Sequence, residues 1–184
     1  INEHYIELIG ATLLLTTITL WSFGQPLICP CGEIKLWHGL IDAQSSNHLT
    51  DWFTLQHLLT GMILYWVIKY AAPNLPAGTA FLLAFSVEAA WELVENTPWV
   101  IERFRDTAHI TYRGDAIINS VTDMLAMIPG YILARRNHWS LTLILGGIIE
   151  LLTLYMIHDS LILSTLMFIY PIEAIKTWQI AAWP

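Results

Sequence analysis

The chain has 184 residues, of which 55% are hydrophobic and only 12% are charged. Soluble domains usually carry about a quarter charged residues, so this composition argues against an ordinary soluble fold. The formal net charge of −7 gives no basic surface for a phosphate backbone, which excludes nucleic acid as an expected partner. Nine tryptophans and a positive mean hydropathy are typical of a membrane protein.

Apolar stretches of about 20 residues, the length that crosses a hydrocarbon core of roughly 30 Å, recur along the chain. Five of them predict membrane-spanning helices, at residues 6–23, 53–70, 77–96, 115–134 and 140–157. The first is not followed by a small-residue cleavage site, so we expect it to remain as an anchor. Residues 161–170 predict a short sixth span or a re-entrant segment. With no repeat or flexible linker, we predict one all-α domain over residues 1–184, a polytopic transmembrane helical bundle of five to six spans.

Two longer segments, residues 24–52 and 97–114, fall on the same side of the predicted bundle. Lys and Arg in short loops set membrane orientation, but here they are divided evenly between the two sides. The pair Arg135 and Arg136 at the end of the fourth span favours a cytoplasmic N-terminus. We therefore predict a multi-pass protein of the bacterial inner (plasma) membrane, in contact with lipids, whose two extracytoplasmic loops carry much of the function.

Acidic side chains inside the predicted spans are the main functional signal, because a charge near the bilayer centre costs at least ~2.5 kcal/mol. Two spans carry polar residues at spacings that place them on one helix face. These stripes are Glu88, Glu92 and Glu95 in the third span, and Asp115, Asn119 and Asp123 in the fourth. His57 and Glu150 lie at a similar depth in the second and fifth spans. We expect the group to converge in the outer half of the bundle.

Several carboxylates cannot all stay ionised in a low-dielectric pocket without a compensating cation. A divalent metal, with zinc as the expected ion, would supply that charge and activate water for hydrolysis. In this interpretation the catalytic residues are His57, Glu88, Glu92 and Asp123. The residues that bind the polar headgroup of a lipid-linked or envelope substrate are then Arg103, Arg105, Arg113, Asn119 and Asp115.

Two other interpretations of the acidic stripes stay open. The loop arginines could pair with the acids in a structural network, and the chain would then be a non-enzymatic membrane binding or assembly protein. Alternatively, the acids could relay protons or bind a coupling cation in a small transporter. The lack of a repeat between the two halves makes transport the less attractive hypothesis. Neither a phosphate-binding glycine motif nor a serine or zinc protease motif occurs.

The first outer loop contains a second candidate site. Cys29 and Cys31 are followed by His38 and His48, and two thiolates with two imidazoles are a reasonable ligand set for zinc. The cysteines are so close in sequence that a relaxed disulfide is difficult, which favours a metal or paired redox chemistry. A disulfide stays open as the alternative, because the loop is expected in an oxidising compartment.

Several blocks of the sequence resemble the proteobacterial inner-membrane family known as domain of unknown function 2585. The blocks are residues 29–39 (CPCGEIKLWHG), 47–52 (NHLTDW), 88–92 (EAAWE), 95–98 (ENTP), Gly114 with Asp115, 118–120 (INS), Asp123, Pro171, and Trp178 with Gln179. A more distant resemblance to VanZ-like membrane proteins rests on Asp51, His57, Glu88, Asn119, Asp123 and Gly130. Both resemblances imply a helical membrane fold rather than a particular reaction.

Overall fold

The computed structural model describes residues 3–107 and 109–181, which form eight α-helices and one pair of two-residue strands. The helices are α1 (Glu3–Ser22), α2 (Thr54–Ala71), α3 (Ala77–Glu95), α4 (Pro98–Asp106), α5 (Ile117–Arg136), α6 (Trp139–Ile157), α7 (Leu161–Ile169) and α8 (Glu173–Ile180). The strands are β1 (Trp37–His38) and β2 (Thr50–Asp51). The predicted helical architecture is therefore confirmed, with the small strand pair as an addition.

Within the described residues, four helices are long and apolar enough to cross a membrane: α1, α3, α5 and α6. This finding supports the predicted membrane location. Helix α2 occupies the second predicted span but is not one of these four; it carries the polar residues Gln56, His57 and Lys69. Helix α7 has nine residues and is about 13 Å long at ~1.5 Å per residue, too short to cross the core by itself. The number of spans and their orientation stay predictions.

Helices α2 and α5 meet at two glycines. A Cβ atom added to Gly61 would lie 2.0 Å from the carbonyl oxygen of Met127, and one added to Gly130 would lie 1.9 Å from the carbonyl oxygen of Leu58. No side chain fits at either position, so the two backbones are in direct contact, as in many membrane helix pairs. This contact fixes the relative height of the two helices and of the polar residues that they carry.

The loop between α1 and α2 is ordered by its own hydrogen bonds. Strands β1 and β2 pair in parallel, with His38 opposite Asp51. The Asp51 carboxylate accepts the backbone amides of Ser46 and Phe53, each at 2.8 Å. These bonds give hydrogen-bond partners to backbone amides that would otherwise be unpaired in the loop. The all-α prediction missed the strand pair because two-residue strands leave no alternation of polar and apolar residues.

Helix α4 lies within a segment, residues 97–114, that the sequence analysis treated as a loop. The side chain of Thr97 caps its N-terminus, and Pro98 occupies the first turn. Thr at the cap followed by Pro is a known helix-start signal, and it was available in the sequence. The helix is amphipathic and short, which is why no hydrophobic span marks it.

Helices α4 and α7 are joined to each other by hydrogen bonds and ring packing. Arg103 donates hydrogen bonds from Nε to the carbonyl oxygen of Phe168 at 2.7 Å and from a terminal nitrogen to that of Ile169 at 3.2 Å. The rings of Trp99 and Phe168 also pack edge to face, with centroids 5.7 Å apart. Helix α4 is thus tied to the C-terminal end of α7.

Candidate functional site

His57 lies at the centre of a buried group of carboxylates, which we call the His57 cluster (His57, Glu88, Glu92 and Asp123). Its Nδ1 atom is 2.5 Å from Oε1 of Glu88 and 3.4 Å from Oε1 of Glu92. Its Nε2 atom is 3.8 Å from Oδ2 of Asp123. All four residues are buried. The structure therefore brings together the four residues that the sequence analysis assigned to catalysis.

Several potential metal-ligand atoms of the His57 cluster have no hydrogen-bond partner among the residues that the structure describes. One potential ligand atom from each of His57, Glu92 and Asp123 lies within 4.8 Å of the other two. Within the described residues, five buried polar atoms in and beside the cluster have no hydrogen-bond partner: Glu88 Oε2, Glu92 Oε1, Asp123 Oδ1, Asn119 Nδ2 and Ser120 Oγ. An unpaired buried polar group costs about 1–3 kcal/mol. The donor set of one imidazole and carboxylates suits a divalent cation such as zinc.

A cavity of about 370 Å³ lies beside the cluster, at the end of the bundle where α2 begins and α3 ends. Most of its wall is aromatic or aliphatic, and Phe53, Trp91, Phe104 and Phe168 contribute rings to it. His57 and Glu95 are also in the wall, whereas the other three members of the His57 cluster are not among its lining residues. His57 therefore connects the carboxylates with the cavity.

Asp115, a predicted substrate ligand, is held in a structural hydrogen-bond ring. Its carboxylate accepts a bond from Asn96 Nδ2 at 2.7 Å, and its backbone amide donates to Asn96 Oδ1 at 2.7 Å. The Tyr112 hydroxyl donates to Oδ1 of Asp115 at 3.0 Å. Burial, reinforced by the nearby carboxylates, raises the pKa of Tyr112 well above its ordinary value, so the phenol remains a donor. Asp115 thus joins the end of α3 to the start of α5.

The three loop arginines are not brought to the His57 cluster. Arg103 bonds the end of α7, and Arg105 and Arg113 are exposed. None of them is among the described residues that line the cavity. Asn119, in contrast, is buried on α5 one turn before Asp123. Headgroup binding by the arginines stays a prediction without a contact that supports it.

Glu150 also lies outside the cluster. Its carboxylate accepts the backbone amides of Leu161 at 3.0 Å and of Ile162 at 3.2 Å, so it caps the start of α7. The expectation that it converges with the other acids was wrong, because depth along the bundle does not specify which way a side chain points.

The loop cysteines are joined to each other by a disulfide between Cys29 and Cys31. Of the alternatives weighed from the sequence, the structure shows the disulfide rather than a pair of thiolates. The backbone makes a turn here, closed by a bond from the Gly32 amide to the Cys29 carbonyl, and the two Cα atoms are 5.1 Å apart. His48 lies beside the pair, and His38 instead pairs with Asp42 at 2.9 Å.

One further group in the cavity wall was missed by the sequence analysis. The Nε2 atom of His109 is 2.8 Å from Oδ2 of Asp159, and the Ser164 hydroxyl donates to the same oxygen at 2.8 Å. His109 and Ser164 line the cavity, and Asp159 is completely buried behind them. These residues come from two loops and helix α7 with no shared spacing, so no sequence pattern connects them.

Residues 20–181 match the family model described as a protein of unknown function (DUF2585). The chain belongs to this family. It is 40% identical to a UPF0314 protein of Sphingopyxis alaskensis over 172 residues, which is 92% of each chain. It is 38% identical to one of Brucella anthropi, over 93% of this chain and 90% of the relative, and 41% identical to one of Paracoccus denitrificans, over 92% and 89%.

The comparison with solved structures gives no match. The match to the family model over residues 20–181 confirms the predicted resemblance to this family over most of the chain. The more distant resemblance to VanZ-like proteins stays a prediction.

Proposed function

We propose that this protein is a membrane enzyme that hydrolyses or modifies a lipid-linked or envelope substrate with the help of a divalent cation. The observation that carries the proposal is the position of His57, which belongs both to a buried carboxylate cluster and to the wall of an apolar cavity. Chemistry at the cluster would therefore take place at the edge of a space suited to a lipid chain.

The cation is proposed from charge and from the donor set. Three buried carboxylates surround a single imidazole, and so much negative charge in a low-dielectric site requires compensation. Glu92, Asp123 and His57 supply the ligand atoms in this proposal. Glu88 contacts Nδ1 of His57, as a carboxylate does when it orients a metal-binding histidine. A bound divalent ion supplies an activated water at neutral pH.

The substrate class is proposed from the cavity. Its volume of about 370 Å³ is in the range of small-molecule sites, and its aromatic wall favours an acyl or isoprenoid chain. Glu95, together with His57, adds polar atoms to this wall, where the bond to be cleaved would lie. An amphiphile with a polar linkage at one end matches both features.

Metal content is the first test. The full chain, purified in mild detergent without chelators, is expected to contain one divalent ion, which Glu92→Gln should remove. Glu102→Gln, at an exposed position on α4, is the matched control and should retain the ion. If the wild-type protein contains no metal and binds none when titrated with zinc, the cation is disproved, and the carboxylates form a structural network.

Turnover is the second test. Wild-type protein and a His57→Gln variant are incubated with membrane lipid extract, and the products are compared by mass spectrometry. The proposal expects a lipid species that is consumed by the wild type and not by the variant. A metal-loaded, folded wild-type protein that consumes no lipid under these conditions would favour a binding or assembly role instead.

A further inference from the structure

The Cys29–Cys31 disulfide lies in the outer loop, outside the His57 cluster and outside the lining of the cavity. The two residues are separated by only two positions in sequence, so the bond closes a very short loop. A cross-link constrains the unfolded chain less when its loop is shorter, and this one joins no distant segments. Stabilisation of the fold is therefore a weak explanation for this disulfide.

The two sulfur atoms differ in accessibility. Cys31 is exposed, whereas Cys29 is 3% exposed. The Sγ atom of Cys29 also accepts the backbone amide of Cys31 at 3.2 Å. Thiol–disulfide exchange depends on which sulfur an incoming thiolate can reach and on how well the other leaves. Here an attacking thiolate reaches Cys31, and Cys29 is the leaving group with an amide donor already beside it.

A histidine is fixed beside both sulfurs. One ring nitrogen of His48 and the two Sγ atoms all lie within 4.8 Å of one another. The ring is buried and held in place by the Lys35 amide, which donates to Nδ1 at 3.3 Å, and by Gln44, whose Oε1 is 3.2 Å from Nε2. Burial lowers the pKa of His48 and its Nδ1 accepts the Lys35 amide, so the ring is uncharged and acts through its position beside the sulfurs. His48 is thus a positioning residue for Cys29.

We propose that Cys29 and Cys31 form a thiol–disulfide exchange site that accepts two electrons from an exposed thiol or dithiol. The incoming thiolate attacks Sγ of Cys31, the Cys29–Cys31 bond breaks, and a mixed disulfide forms on Cys31 while Cys29 leaves as a thiolate. A second thiolate attacks the partner's sulfur in the mixed disulfide and releases Cys31. The partner thiols are thereby oxidised to a disulfide, and the pair on this chain is reduced.

The test uses the full chain in mild detergent, with glutathione as the probe. Reduced glutathione is expected to reduce the wild-type disulfide reversibly while the helices stay folded, as followed by alkylation of released thiols and by circular dichroism. A disulfide that glutathione reduces only after the protein has been denatured would overturn the proposal and show a structural cross-link.

Two single variants test the assigned roles. In Cys29→Ser, the remaining Cys31 is expected to form a mixed disulfide with oxidised glutathione at least about tenfold faster than Cys29 does in Cys31→Ser, because reactivity follows exposure. Equal rates in the two variants would overturn the assignment. His48→Gln should slow reduction of the Cys29–Cys31 disulfide relative to the wild-type protein. An unchanged rate would show that His48 has no part in the exchange.

Discussion

The Nδ1 atom of His57 on α2 lies 2.5 Å from Oε1 of Glu88 on α3, and this contact determines which ring edge faces the rest of the cluster. With Nδ1 directed at Glu88, Nε2 faces Asp123 on α5 at 3.8 Å. One histidine thereby links three helices. The orientation of a single ring sets the geometry of the proposed cation site.

Substitution of Glu88 should therefore weaken the site without removing a proposed ligand. We expect Glu88→Gln to reduce zinc affinity by about 10–100-fold, the usual effect of losing a carboxylate that orients a metal-binding histidine. Calorimetric titration in detergent measures this, with Glu102→Gln as the control. An affinity equal to that of the wild type would mean that Glu88 does not orient His57.

The glycine contact between α2 and α5 predicts a strong dependence of stability on side-chain size. Gly61→Ala or Gly130→Ala places a methyl group against a backbone carbonyl, and such overpacking typically costs about 1–3 kcal/mol. The matched control is Gly147→Ala on α6, where an added Cβ meets nothing within 4 Å and the higher helix propensity of alanine is favourable. Thermal unfolding in detergent should separate the variants, and equal midpoints would contradict the direct backbone contact.

The half-buried, hydrogen-bonded phenol of Tyr112 predicts that stability depends on pH at the alkaline end. Because the pKa of Tyr112 is raised in the folded chain, the unfolded chain loses this proton first as the pH rises above 10.0. Stability from the protonated phenol is complete below pH 10.0 and is lost as the pH rises toward the folded-state pKa. At pH 8, Tyr112→Phe should destabilise the protein by about 0.5–1.5 kcal/mol through the lost hydrogen bond.

At pH 11 the difference between wild type and Tyr112→Phe should shrink, because phenylalanine cannot ionise. Unfolding midpoints at the two pH values measure the effect, with Tyr155→Phe at an 82% exposed position as the control. A difference that stays constant between pH 8 and pH 11 would show that Tyr112 titrates normally.

The hydrogen bonds of Arg103 predict that its loss loosens the end of α7 and leaves the rest of the fold unchanged. Removal of its two hydrogen bonds in Arg103→Ala should raise amide hydrogen exchange at the C-terminal end of α7, with little change in α5. Arg105→Ala, at an exposed position on the same helix, is the control. Unchanged exchange in α7 would mean that ring packing alone, such as Trp99 against Phe168, holds the two helices together.

The sequence predicted the helices and the core of the site for a specific physical reason. Glu88 and Glu92 are four residues apart, so any helix there places them on one face, and an acid inside an apolar stretch requires partners. The prediction that His57 lies near them rested only on its similar depth in the predicted bundle. Side-chain direction did not follow, and for that reason Glu150 was expected in the cluster although it caps α7.

Other features depend on contacts between segments that no local pattern encodes. The partner of Asp115 is Asn96, 19 positions earlier, and only the packed helices show that the two side chains form a closed ring. The disulfide was disfavoured from the spacing of Cys29 and Cys31, but the two residues lie in a turn closed by the Gly32 amide and the Cys29 carbonyl. Helix α4, in contrast, had a usable signal in Thr97 and Pro98.

The backbone contact between α2 and α5 at Gly61 and Gly130 has a consequence for how the cavity can admit a ligand. Two helices in backbone contact cannot slide past each other without a clash, so the α2 residues that line the cavity, Gln56, His57 and Thr60, form a floor of fixed dimensions. Helices α4 and α7 are joined to each other by one arginine and a few rings, and they cover the same cavity from above. Entry and exit would therefore be movements of this cover, while the floor stays as it is.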